Sequence, residues 1–220
     1  MPKKTATKIK VDADPKRALA VLRRLKKEFP DAKCALDHET PHQLLAATIL
    51  SAQCTDKRVN LVTQDLFAKY RNVAAFAHAD QAEMEQDVKS TGFFRNKATS
   101  LIRMSRDVLE KHGGEVPQTR AELKALPGVG RKTANVMLNT AFGQPTIAVD
   151  THIFRVCNRI GLARGKTPLE VEKKLLKFTP DEFKQDAHHW LILHGRYCCK
   201  ARKPLCAECI IEDLCEYNGK

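Results

Sequence analysis

The sequence predicts an all-α protein of roughly ten helices joined by short turns. Three observations predict it. Four segments carry the S/T-x-x-E/Q pattern that caps a helix start, at Thr40–Gln43, Thr119–Glu122, Thr167–Glu170 and Thr179–Glu182. Pro41, Pro168 and Pro180 follow three of those threonines, in a first turn where a missing N–H costs nothing. No stretch sustains the period-2 alternation of a half-buried strand.

The elements follow in order. Residues 1–11 form a short basic tail. Asp14-Pro15 opens a first helix whose Ala18, Val21, Leu22, Leu25 and Phe29 share one face, and Pro30 stops it. The next helix runs from Thr40 through Leu44, Leu45, Thr48 and Ile49 into Leu50-Ser51-Ala52-Gln53-Cys54-Thr55-Asp56. Asp56 reads as the N-cap of a third, with Val59, Val62, Leu66 and Phe67. Two short helices span 72–79 and 80–88. Gly92-Phe93-Phe94-Arg95-Asn96-Lys97 then leads into a longer one through Leu101, Ile102, Met104 and Val108. A short helix from Thr119 ends at Leu126, and Pro127-Gly128-Val129-Gly130 turns the chain into another. Its apolar positions Ala134, Met137, Leu138 and Ala141 fall at i, i+3, i+4 and i+7. Phe142–Thr146 breaks that helix, and Asp150 starts the next. The last long helix, from Asp181, carries an apolar face of Phe183, Ala187, Trp190, Leu191 and Tyr197, with His194 among them.

Composition narrows the function. Of 220 residues 43% are apolar and 29% charged, which suits a globular chain with a proper core. Lys and Arg number 38 against 26 Asp and Glu, and the net +12 points to a polyanionic partner, DNA or RNA. The longest apolar run, Leu44–Leu50, falls far short of the roughly 20 residues a membrane span needs. The basic start Met1-Pro2-Lys3-Lys4 is not followed by an apolar signal core. The expectation is a cytosolic monomer, or one in a bacterial nucleoid, with no membrane partner.

Eight cysteines in that compartment are not expected to form disulfides, and five of them lie between Cys198 and Cys215. Cys199-x6-Cys206-x2-Cys209-x5-Cys215 puts four thiolates in 17 residues, enough for zinc or an iron–sulfur cluster. Four-cysteine zinc sites more often use two short knuckles, and only one occurs here. Cys198 competes with its neighbour Cys199 as a ligand. Cys34, Cys54 and Cys157 are scattered and read as small buried residues.

The chemistry centres on Leu126–Ala134. A glycine hairpin that opens a helix points unpaired N–H groups outward and holds a phosphate without a side chain. Gly128, Val129 and Gly130 form that hairpin; Arg131, Lys132 and Thr133 occupy the first turn after it. Asp150, at the start of a later helix, supplies a carboxylate. An amine such as that of Lys132 acts as a nucleophile only when neutral. A helix N-terminus, a basic neighbour and partial burial all favour that form.

This stretch resembles the helix-hairpin-helix of the base-excision DNA glycosylases, and with lysine at 132 it is similar to the endonuclease III family. L-S-A-Q-x-T-D at Leu50–Asp56, the Gly92–Lys97 segment, V-D-T-H at Val149–His152 and the 6-2-5 cysteine loop extend the resemblance over nearly all of 14–218. It implies two helical domains flanking a DNA-binding cleft: a six-helix domain with the hairpin over 34–144, and an iron–sulfur domain from 12–33 with 145–220. It implies Lys132 as the Schiff-base nucleophile and Asp150 as the carboxylate that stabilises the developing sugar cation. Gln53 would fill the gap left by an extruded nucleotide, and Phe93, where relatives commonly have leucine, would wedge into the base stack. A 4Fe-4S cluster would sit on Cys199, Cys206, Cys209 and Cys215, pinning a loop whose Lys200, Arg202 and Lys203 meet DNA phosphates. The implied activity is that of a bifunctional DNA glycosylase and AP lyase. Its substrate would be double-stranded DNA containing oxidised pyrimidines or abasic sites. A monofunctional adenine-type mismatch glycosylase, a non-catalytic iron–sulfur DNA-binding protein and a zinc-ribbon RNA binder remain open alternatives at this point.

Overall fold

The computed structural model describes residues 14–217 and 219; the basic tail expected over 1–11 lies outside them. The described residues form eleven α-helices and three short 3-10 turns, with no strand. In order these are α1 (Pro15–Glu28), α2 (Pro41–Leu50), α3 (Asp56–Lys69), α4 (Val73–Ala77), α5 (Gln81–Asp87), α6 (Phe94–Lys111), α7 (Arg120–Ala125), α8 (Arg131–Thr140), α9 (Thr151–Arg159), α10 (Pro168–Phe178) and α11 (Asp181–Tyr197). None of them is long and apolar enough to cross a membrane.

The described residues divide into two compact units, Lys33–Ala148 and a second made of those up to Ala32 with those from Val149 onward. The first holds α2 to α8, seven helices rather than six, because Asn72 caps the single-turn α4 by accepting from the Ala75 amide. Helix α2 is apolar all round, and all eight residues from His42 to Ile49 except Gln43, together with Leu50, are buried. A helix with that pattern belongs at the centre of a core. It packs on α3, α6 and α8, while α4 and α5 cover α6 and α7 lies on α8. Leu44, Leu45 and Leu50 are fully buried, each contributing roughly 2 kcal/mol. The unit ends at Ala148, four residues past the break read at 144. Asn135 and Asn139 donate to the Ile147 and Thr146 carbonyls, and the Thr146 hydroxyl donates to the Asn135 carbonyl. Those bonds hold the outgoing strand of chain against α8.

The second unit packs α11 on α1 and α9, with α10 on α9. Ala18, Val21, Leu22 and Leu25 are the buried face of α1; Phe29 lies just past its end, at the C-cap.

The caps at Thr40, Thr119 and Thr167 form as the pattern predicts, each hydroxyl accepting from the amide three residues on. Two others differ. Thr55, not Asp56, caps α3, because Thr55 takes the extended backbone and accepts from the Arg58 amide. Thr179 does not cap α11. Its own amide closes α10 onto Leu175, Pro180 takes the cap position, and the Thr179 hydroxyl is buried without a partner. Tyr197, expected on the apolar face of α11, is exposed.

Candidate active site and cluster loop

The hairpin is built by burial on either side of an open turn. Leu123, Leu126 and Val129 are buried, and the Val129 amide donates to the Leu126 carbonyl at 3.2 Å. Val129 therefore anchors the turn, while Gly128 and Gly130 are exposed beside it. Gly128 has φ +78°, and a Cβ there would stand 2.9 Å from the Ser100 Cβ of α6. Only glycine meets both conditions. Gly130 is the N-cap of α8 and offers no side-chain cap, so the first amides of the helix stay available to an anion. Arg131 and Thr133 are partly buried. Lys132 is exposed, without the partial burial expected of it, and makes no ion pair among the described residues. Burial pushes the Cys34 thiol up, and Lys132 pulls it partly back.

Next to the hairpin the structure brings Gln53, Phe93 and Gly128 together. They line a crevice of about 250 Å³ with Ile49, Ala52, Asn96, Lys97 and Ser100. Gln53 (φ 54°) and Phe93 (φ 50°) both hold the left-handed backbone that L-residues avoid. Phe93 is 63% exposed, whereas its neighbour Phe94 packs on the core. The buried Lys97 holds this turn: its Nζ donates to the Thr91 carbonyl at 2.7 Å, and its amide donates to the Phe93 carbonyl. Burial lowers the Lys97 pKa. The Gly92–Lys97 motif contains this lysine, but nothing in the pattern told what it holds.

In the other unit, Asp150 caps α9. Its Oδ1 accepts from the Ile153 amide at 2.8 Å, and the side chain remains partly exposed. A carboxylate bound to a helix N-terminus is fixed in direction. His152, in the first turn, accepts from Arg155, whose guanidinium also donates to the Gly195 and Cys199 carbonyls. A Cβ at Gly195 would come within 3.0 Å of the His152 Cβ, so α11 approaches this first turn closely. Arg155 thus ties the Asp150 end of α9 to the start of the cysteine loop, a bond across forty-odd residues that no local pattern announces.

None of the eight cysteines forms a disulfide among the described residues. Cys199 is buried, with the Arg159 guanidinium 3.9 Å from its sulfur; Arg159 also donates to the Lys200 and Ala201 carbonyls. Cys206 and Cys209 flank a 3-10 turn, Cys206–Glu208, and Cys215 follows another, Glu212–Leu214. Arg17 of α1 donates to the Leu214 carbonyl, beside Cys215. Burial, then the thiols of Cys209, Cys199 and Cys206, push the Cys198 thiol up to about 12. Between Lys200 and Tyr217 only Ile211 is buried. A loop with no core of its own and four thiols suits a cross-linking iron–sulfur cluster, whose ligands are thiolates. Lys200, Arg202 and Lys203 are exposed on it, Lys203 with φ 51°.

Comparison with known proteins fits this geometry. The sequence matches the HhH-GPD superfamily base excision DNA repair protein over residues 46–181, and the iron–sulfur binding domain of endonuclease III over 199–215. Endonuclease III of Haemophilus influenzae is 55% identical, over 92% of this chain and 96% of its own. That of Bacillus subtilis is 50% identical, over 87% and 88%. A trapped endonuclease III–DNA covalent intermediate has a TM-score of 0.89 at 47% identity, covering 93% of this chain and 96% of the other. Taken with the hairpin and the cysteine loop, these relatives place the chain in the endonuclease III family, as a base excision repair DNA glycosylase and AP lyase whose cofactor is a 4Fe-4S cluster.

Proposed function

We propose that the chain removes oxidised pyrimidines from double-stranded DNA through a covalent intermediate on Lys132, acting as a monomer in the bacterial nucleoid. The observation that carries this reading is an exposed lysine, making no ion pair among the described residues, on the first helical turn after an open glycine hairpin. That it is a covalent intermediate which could be trapped for the related endonuclease III agrees with it.

The steps follow from residue chemistry. The glycosidic bond breaks with cationic character on the sugar, and the Asp150 carboxylate stabilises that charge. The Lys132 amine bonds to C1′ and the base leaves with the bonding pair and a proton from the amine; the C1′–O4′ bond of the sugar then opens, O4′ takes up a proton, and a protonated Schiff base remains. The iminium acidifies the 2′ proton. Its loss pushes out the 3′ phosphate, which cuts the strand by β-elimination. Gly128, Gly130, Arg131 and Thr133 hold the backbone, with Val129 fixing the turn, and Lys203 adds a phosphate contact from the cysteine loop. Gln53 and Phe93 fill and wedge the stack. The cluster, when bound to Cys199, Cys206, Cys209 and Cys215, cross-links that loop and takes no part in bond breaking. The reading requires domains 34–144 and 12–33 with 145–220 to present Lys132 and Asp150 to one nucleotide.

Borohydride trapping tests it. Duplex containing an oxidised thymine should give a covalent complex with the wild-type chain and none with Lys132→Ala, whose cleavage rate should fall by on the order of 10³-fold or more. Undiminished trapping by the variant would refute Lys132 as the nucleophile. Binding without turnover by the wild type would favour a silent DNA-binding protein.

A further inference from the structure

The cysteine loop contains one donor more than a four-thiolate cluster uses, and that donor does not stand alone. His194, Cys198 and Cys209 bring their ligand atoms within 4.8 Å of one another. His194 and Cys198 are four residues apart across the end of α11, so they share a face. The buried His194 turns Nε2 toward the Cys209 sulfur at 3.9 Å. Cys198 is locked in place: its sulfur lies 3.6 Å from the Leu205 carbonyl, and the Leu205 amide donates to the Cys198 carbonyl at 3.0 Å. Leu205 directly precedes Cys206, so that closure brings the start of the Cys206–Glu208 turn beside Cys198. The Cys199 sulfur has the Arg159 guanidinium 3.9 Å away.

We propose that His194, Cys198, Cys206 and Cys209 form a mononuclear site for zinc, in competition with the iron–sulfur cluster. A tetrahedral zinc with sulfur at about 2.3 Å draws its donors to about 3.8 Å apart, so the three convergent atoms need to close by only about 1 Å. A cluster asks something different, because each thiolate binds its own iron and the ligands stand around a larger body. The donor set is three sulfurs and one imidazole, with Cys206-x2-Cys209 as the knuckle. Binding is balanced by release of the three thiol protons to solvent, while the neutral imidazole gives none. The two sites share Cys206 and Cys209, so one loop holds one or the other.

The two sites separate by mutation. The full chain is expressed in iron-poor, zinc-supplemented medium and assayed for bound metal; Co²⁺ then replaces zinc as a spectroscopic probe. Wild type is expected to carry one zinc per chain, with the cobalt spectrum of a tetrahedral site of three sulfurs and one nitrogen. Cys198→Ser and His194→Gln should each weaken zinc by tenfold or more. Cys198→Ser grown with iron should retain its cluster absorbance, which shows that the variant folds. Cys215→Ser should do the reverse, keeping zinc and losing the cluster. Unchanged zinc affinity in Cys198→Ser, or loss of zinc in Cys215→Ser, would overturn the proposal and leave the cluster assignment intact.

Discussion

The glycine hairpin and the cysteine loop are both short, turn-rich segments that meet a ligand, yet they are held in opposite ways. The hairpin is sealed by apolar burial within a few residues, at Leu123, Leu126 and Val129, and by the fit of Gly128 against Ser100. The loop buries only Ile211 between Lys200 and Tyr217. It is instead fastened by guanidinium groups from distant helices: Arg17, which also holds the Ile160 and Gly161 carbonyls at the end of α9, to the Leu214 carbonyl, Arg24 to the Ile210 carbonyl and the Asp213 carboxylate, and Arg159 to the Lys200 and Ala201 carbonyls. Hydrophobic burial needs no ligand and tolerates changes in charge. Cation-to-carbonyl fastening is directional and leaves each carbonyl orphaned if the cation goes. The hairpin should therefore stand by itself, while the loop's order depends on its arginines and its cluster.

Removing Arg17 should expose that dependence most strongly. Arg17→Met deletes three bonds to carbonyls and an ion pair with Glu216, at a cost of about 3 kcal/mol. The cluster absorbance should then decay faster in the presence of an iron chelator, with amide exchange in the hairpin unchanged. Equal loosening of both regions would break the comparison.

Acid should act on the hairpin's unit through His42, an effect nearly as large. This residue is 6% exposed, its Nε2 lies 2.8 Å from the Ser105 hydroxyl, and burial pushes its pKa down to about 4. The unfolded chain, near 6.5, takes up the proton first, so His42 contributes its full stability above pH 6.5. That contribution is lost as pH falls toward 4, by roughly 3 kcal/mol in total. Denaturant titrations between pH 6.5 and 5 should show a slope that His42→Gln flattens. An identical slope in the variant would discount the residue.

Gly128→Ala should cost about 2 kcal/mol, through left-handed strain and the clash with Ser100. Its thermal midpoint should drop while cluster absorbance stays at wild-type intensity. Phe93→Ala is the mildest. With 63% of the side chain exposed, stability should hold. Base removal from a paired lesion should slow about tenfold, an effect of about 1.4 kcal/mol, while cleavage at a preformed abasic site should change little. Equal loss in both assays would argue against a wedge.

Local features were the ones legible in the sequence. The caps at Thr40, Thr119 and Thr167 could be read because donor and acceptor lie three residues apart. The cap of α3 slipped by one residue because Thr55 and Asp56 are both competent and only backbone conformation chooses between them. At Thr179 two helices meet with no spare residue, and the end of α10 takes precedence over the start of α11. The hairpin and the cysteine spacing stood out as motifs. The arginine fastenings did not, because Arg17 reaches carbonyls 143 to 197 residues away. The left-handed backbones of Gln53 and Phe93 were equally hidden, since neither residue type advertises that conformation.

Phe93 and Gln53 have a kinetic consequence under the proposed reading. Both are already cocked in the free protein, on backbone that costs roughly 1–2 kcal/mol per residue to hold. That outlay is made at folding, once, rather than at each of the many base pairs a repair enzyme must inspect. Interrogation of DNA then needs no preceding isomerisation of the protein, and the observed association rate should climb linearly with duplex concentration without reaching a plateau.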